Sequence, residues 1–129
     1  MINELFTKLL VCTLAFLLPL YTSFLIIGAL VISDTILALL SNHKKGIKFC
    51  NKEFDLFFYK TIVYMLVLVI THAVSEYFVF DSALIIKTIT SVIVIKELNS
   101  IDRNVESIIG FSTFKFLIKK INDFFNTNK

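Results

Sequence analysis

Long apolar runs alternate with short charged segments along this chain, and the first run is longer than a soluble core requires. From Leu9 to Ser33 twenty-five residues pass without a charge, and the apolar stretch continues beyond Asp34 to Leu40. Twenty-five helical residues reach about 37 Å, more than the roughly 30 Å hydrocarbon core of a bilayer. Pro19 falls inside the run. It has no N–H to donate and crowds the preceding turn, so a kink is expected there. The pattern predicts an N-terminal apolar helical arm over 1–18, tilted or partly interfacial, and a first membrane span over about 19–40.

A second run, Thr61 to Ser75, is uncharged if His72 is neutral. With its aromatic borders it extends to a span over 57–80, which places Tyr59 and Tyr77 about one bilayer apart. Asp81 and Ser82 mark a tight turn. A third apolar segment, 82–95, is interrupted by Lys87. It reads as a span in which the Lys87 stem extends toward the outer headgroups, with a re-entrant or surface helix as the alternative. The membrane domain thus covers 19–95, followed by a cytoplasmic tail over 96–129.

Within the tail, Phe114, Leu117, Ile118, Ile121, Phe124 and Phe125 recur at helical spacing, while Lys115, Lys119 and Lys120 fill the other side. Such a basic amphipathic helix lies in the headgroup plane, or packs on its neighbours in an oligomer. The expected fold class is an all-α integral membrane protein, with about three transmembrane helices and a C-terminal basic amphipathic helix.

Composition agrees with this pattern. Of 129 residues, 57% are hydrophobic, and Gly and Pro number three and one, so a soluble chain would lack the polar surface to cover its core. Fourteen Phe and no Trp leave Tyr21, Tyr59, Tyr64 and Tyr77 as the candidates for an interfacial belt. The first connection, Ser41 to Lys60, carries five Lys, and the tail carries Lys96, Arg103, Lys115, Lys119, Lys120 and Lys129. The connection around Glu76 and Asp81 has no base. The positive-inside rule then places both basic segments in the cytoplasm and the N-terminus outside, which three spans satisfy. The first run is about twice the length of a signal-peptide apolar region, so a retained helix is expected. Cys12 and Cys50 fall in different segments and read as free thiols.

The chemistry-bearing residues do not form a catalytic set. His43 and His72 have no Cys or His at metal-ligand spacing, Gly is too scarce for a phosphate loop, and Ser33, Ser75 and Ser91 have no nucleophile motif around them. No enzyme, metal, cofactor or nucleic-acid partner is expected. Four ionisable residues within the apolar segments remain: Asp34, His72, Glu76 and Lys87. A charge at the bilayer centre costs roughly 2.5–3.5 kcal/mol on insertion scales, so such groups face partners or water. They are candidates for a pore or oligomer seam. In the plainer alternative Asp34, Glu76 and Lys87 snorkel from near the interfaces, and His72 is neutral and bonded to a backbone carbonyl. Glu76 and Lys87 both fall toward the outer side, where neighbouring helices can pair them.

After the third segment comes Lys96-Glu97-Leu98-Asn99-Ser100-Ile101-Asp102-Arg103-Asn104. The pattern E-x-x-S-I-x-x-N resembles the signature of the toxin-secretion/phage-lysis holin family. There it follows the last apolar segment and precedes a Lys-rich helix. The family's first span also carries an Asp near its cytoplasmic end, as Asp34-Thr35 does here. The resemblance covers roughly Ile27 to Ile121. It departs where Leu37 and Ala38 replace the family's Gly, and where Gly110-Phe111-Ser112 lacks its prolines.

The resemblance implies a protein that oligomerises in the host bacterial inner membrane and opens a lesion for an endolysin or toxin. Its partners would be the lipid bilayer, further copies of itself and, functionally, that endolysin or toxin. Glu97, Ser100, Ile101 and Asn104 match the motif and would form a structural cap at the membrane exit. Glu97, Ser100 and Asn104 also share a helix face at i, i+3 and i+7. The basic tail would grip anionic lipid at roughly 1 kcal/mol per Lys or Arg. Two other classes stay open: a non-lytic anchor that binds a cytoplasmic partner through 96–129, and a small channel of fixed stoichiometry.

Overall fold

A computed structural model describes residues 1–48, 51–78 and 81–127. It contains α1 (Ile2–Leu17), a 3-10 turn (Leu18–Leu20), α2 (Tyr21–Lys44), α3 (Lys52–Tyr77), α4 (Ser82–Ile109) and α5 (Thr113–Thr127). Among the described residues there is no strand. Pro19 lies at the start of the 3-10 turn, so the winding tightens where the proline removes a donor, and helix resumes at once in α2.

The helices extend beyond the predicted membrane spans. α3 begins at Lys52, five residues before the predicted span, because Glu53 and Asp55 occupy its first turn, where acidic side chains favour the helix N-terminus. The Glu53 carboxylate also accepts from Asn42 Nδ2 at 2.9 Å, which ties this turn to α2. Asp81 is the N-cap of α4 rather than half of a free turn, and its carboxylate accepts from the Leu84 N–H at 3.2 Å. α4 does not stop at Ile95. Its 28 residues run on to Ile109, about 42 Å, so the apolar segment and the E-x-x-S-I-x-x-N motif after it share one helix, in keeping with the helical spacing of Glu97, Ser100 and Asn104. It ends at Gly110, whose φ of 84° allows the left-handed cap. Cys12 is an exposed free thiol, whereas Cys50 and the last two residues of the predicted 57–80 span lie outside the described residues.

The core consists of Leu20, Ile27 and Val31 on the first helical stretch, Tyr64 and Leu68 on α3, and Ile86 and Ile93 on α4. α2 and α4 run side by side in the same direction. Thr90 Oγ1 donates to Ser23 Oγ at one end, and Asn104 Nδ2 donates to the Asp34 carboxylate toward the other. α3 runs against both. The α2–α3 connection and the α4–α5 elbow therefore share one end of the unit, where the Lys44 ammonium donates to the Ile108 carbonyl. α1 buries none of its residues. It meets the other helices near its C-terminal end, where the Phe16 ring packs at a tilt of 45° against His72 and Leu17 packs against the core.

Two helical stretches, Ile2–Lys44 and Lys52–Tyr77, are long and apolar enough to cross a membrane, and most of their surface faces outward. α4, which interleaves Lys87, Lys96 and Glu97 with its apolar positions, is not among them. An exposed apolar surface of this extent is foreign to a monomeric soluble protein and suits a membrane-associated one.

Candidate functional site

Asp34 on α2, Lys60 and Tyr64 on α3, and Glu97 and Asn104 on α4 converge between the three helices. Helical spacing does the local work: Lys60 and Tyr64 are one turn apart, and Glu97 and Asn104 are two turns apart on one face. The Lys60 ammonium donates to Asp34 Oδ2 at 2.6 Å and to Glu97 Oε2 at 3.1 Å. The Tyr64 hydroxyl donates to Glu97 Oε1. Asn104 Nδ2 donates to Asp34 Oδ1 at 2.8 Å and reaches the Asp34 carbonyl at 3.4 Å. All four carboxylate oxygens therefore have a donor. Glu97 is completely buried and Asp34 is 5% exposed, while Lys60 keeps an outlet to the surface.

Two carboxylates share one ammonium, and neutral donors complete the set. Such a network resists removal of any one member. Breaking a buried ion pair from one side costs about 3–5 kcal/mol, because the remaining charge is stranded. Outside it, the Lys96 ammonium lies 5.5 Å from the centroid of the Tyr64 ring. On the side of the α2–α3 connection the cluster opens into a polar cavity of about 290 Å³, lined among others by Asp34, Ser41, Asn42, Lys60, Ser100 and Asn104. Ile101, by contrast, is half-buried and apolar.

The four predicted seam residues do not share one place. Asp34 belongs to the cluster. His72 is buried at the other end of α3, its ring 4.6 Å from that of Phe16. Its Nδ1 has no hydrogen-bond partner, so the expected bond to a backbone carbonyl is not made there; aromatic packing holds the ring instead. Glu76 and Lys87 are both exposed. They do not pair within the chain: Glu76 Oε1 accepts from Ser82 Oγ at 3.1 Å, because Ser82 opens α4 beside the end of α3.

The motif residues Glu97 and Asn104 reach across to α2 and α3 rather than to each other. Sequence reasoning missed Lys60 and Tyr64. Lys60 read as the last base of the first connection and Tyr64 as a belt tyrosine, yet Tyr64 is buried while Tyr21, Tyr59 and Tyr77 are exposed. The signal available was that Lys60 borders an uncharged run, as Asp34 does, and that acids in apolar helices require a cation.

α5 projects from the same end. Asp102 anchors it: its carboxylate accepts from the Ser112 hydroxyl and, at 3.2 Å, from the Phe114 N–H. The Ser112 bond and these backbone donors hold the Asp102 carboxyl below the usual carboxylate range. Lys115 lies 3.7 Å from Glu106, the Lys120 ammonium lies 5.8 Å from the Phe116 ring centroid, and the Phe114, Leu117, Ile118, Ile121 face is uncovered. Among the described residues no group of three His, Cys, Asp or Glu is placed to hold a metal. Comparison with known proteins brought no match to a family model, a curated protein or a solved structure.

Proposed function

We propose that this chain is a holin-like membrane protein: it inserts in the bacterial inner membrane, assembles with further copies, and opens a lesion through which an endolysin or toxin passes. One observation carries the reading. The Asp of the first apolar stretch and two residues of the E-x-x-S-I-x-x-N pattern, the features on which the resemblance rests, meet at one ion-paired site through Asp34–Asn104 and Asp34–Lys60–Glu97. The cluster then acts as a clamp that fixes the three helices at their cytoplasmic end, and no catalytic step is assigned to it.

The shared end of the two Lys-rich segments supports the same reading. It allows three crossings with the N-terminus outside and both basic segments inside. In this arrangement α4 supplies the third crossing with Lys87 toward the outer headgroups, and α5 lies on anionic lipid through Lys115, Lys119 and Lys120.

The exposed, unpaired face of α5 favours one second reading, a non-lytic anchor that recruits a cytoplasmic partner. Vesicles separate the two. Purified protein in anionic vesicles loaded with a small dye and a protein-sized cargo is expected to release both. Retention of both, with the protein inserted, would favour the anchor; release of the dye alone would favour a fixed channel.

A further inference from the structure

Two faces of one copy complement each other. α2 and α4 leave between them a groove of about 750 Å³, lined among others by Thr22, Ser23 and Ile26 of α2 and by Ala83, Lys87 and Ser91 of α4. α3 contributes nothing to its lining, so the groove opens away from α3. α3 in turn presents Ile62, Leu66, Ile70 and Tyr77 as an exposed apolar ridge at helical spacing. Each face carries one charge. Lys87 is exposed in the groove and Glu76 is exposed beside the ridge, and neither has an ion pair among the described residues.

The two faces also match in depth. The Tyr64–Glu97 and Ser82–Glu76 hydrogen bonds fix the level of α3 against α4. Ile70 then lies level with Thr88 to Ser91. Glu76 lies two to five residues along the axis from Lys87, about 3–8 Å, which a lysine stem spans. Copies in one bilayer sit at one depth, so the ridge of one meets the groove of the next. A lysine at the outer border of the apolar belt gains a partner in a neighbour's glutamate.

We infer that the α2–α4 groove receives α3 of a second copy, with Lys87 of one copy paired to Glu76 of the next. The contact joins two different faces, so it is head-to-tail. It repeats from copy to copy, and it closes into a ring only if the rotation permits. The inference rests on the membrane reading above and does not require lysis.

The test is disulfide trapping in membranes, in a Cys12→Ser, Cys50→Ser background. Two differently tagged copies are co-expressed, one with Ile70→Cys and one with Ser91→Cys. Oxidation should give a mixed-tag dimer, and a copy carrying both cysteines should give a ladder. Lys87→Glu should reduce the mixed dimer several-fold, and adding Glu76→Lys should restore it. The inference falls if Ser91→Cys traps itself as well as it traps Ile70→Cys. It also falls if Tyr21→Cys, at similar depth on another face of α2, substitutes for Ser91→Cys, or if membrane-inserted protein gives no dimer. Depolarisation without the mixed dimer would reject this interface and keep the lesion; the dimer without depolarisation would do the reverse.

Discussion

At the scale of single residues, the position of Lys60 decides the character of the interior. It is the one cation of the buried cluster, and it answers two acids on two other helices. Replacing it with an apolar side chain of similar length leaves Asp34 and Glu97 close together with their charges unmatched. Lys60→Met should lower unfolding stability in detergent by about 3–5 kcal/mol, and the double variant Lys60→Met, Glu97→Gln should recover part of that loss. A loss no larger than that of a surface substitution would show that the cluster is not ionised as drawn. Sequence pattern reached Asp34 and flagged Glu97 and Asn104, but it left Lys60 in the connection. The reason is physical: a lysine one residue from an apolar run looks the same whether it snorkels to water or turns inward. Only the arrival of α2 and α4 beside it distinguishes the two.

Elements were more legible than contacts, because each depends on local periodicity. The break at Pro19, the start of α4 beside Asp81 and the amphipathic α5 all follow from residue type and spacing. Helix ends were less so. α4 passes through the charged motif because Glu97 and Asn104 are satisfied by other helices, which no window of sequence displays. The α4–α5 elbow has its own lock in Asp102, Ser112 and Phe114. Its pH dependence has a definite sign. The Asp102 carboxyl is held below its ordinary value near about pH 4, so the elbow has its full contribution above that value and loses it as pH falls through the depressed one. Amide exchange over 112–115 should therefore be unchanged from neutral pH to about pH 5 once corrected for intrinsic rates, and should lose protection at lower pH. Asp102→Ala should show the unprotected behaviour at every pH.

For the whole molecule, the direction of the helices makes a topological statement. α2 and α4 run parallel, so the α2–α3 connection and α5 lie at one end, and Asp81 lies at the opposite end. In a Cys12→Ser background, an impermeant thiol reagent applied to intact cells should label Asp81→Cys and spare Cys50. Equal labelling of both positions would place α4 or the connection elsewhere. The apolar runs, long enough for two helical stretches to cross a membrane, are legible from sequence alone. The helix-to-helix arrangement is not, because it depends on which polar groups find each other inside.

The central claim is that this chain assembles a lesion without help. The most direct measurement is induced expression in a bacterial host that has no endolysin, with membrane potential and culture density followed in time. The account predicts a lag and then abrupt depolarisation, delayed or abolished by Lys87→Glu. Undisturbed potential and growth, with the protein recovered from the membrane fraction, would contradict it.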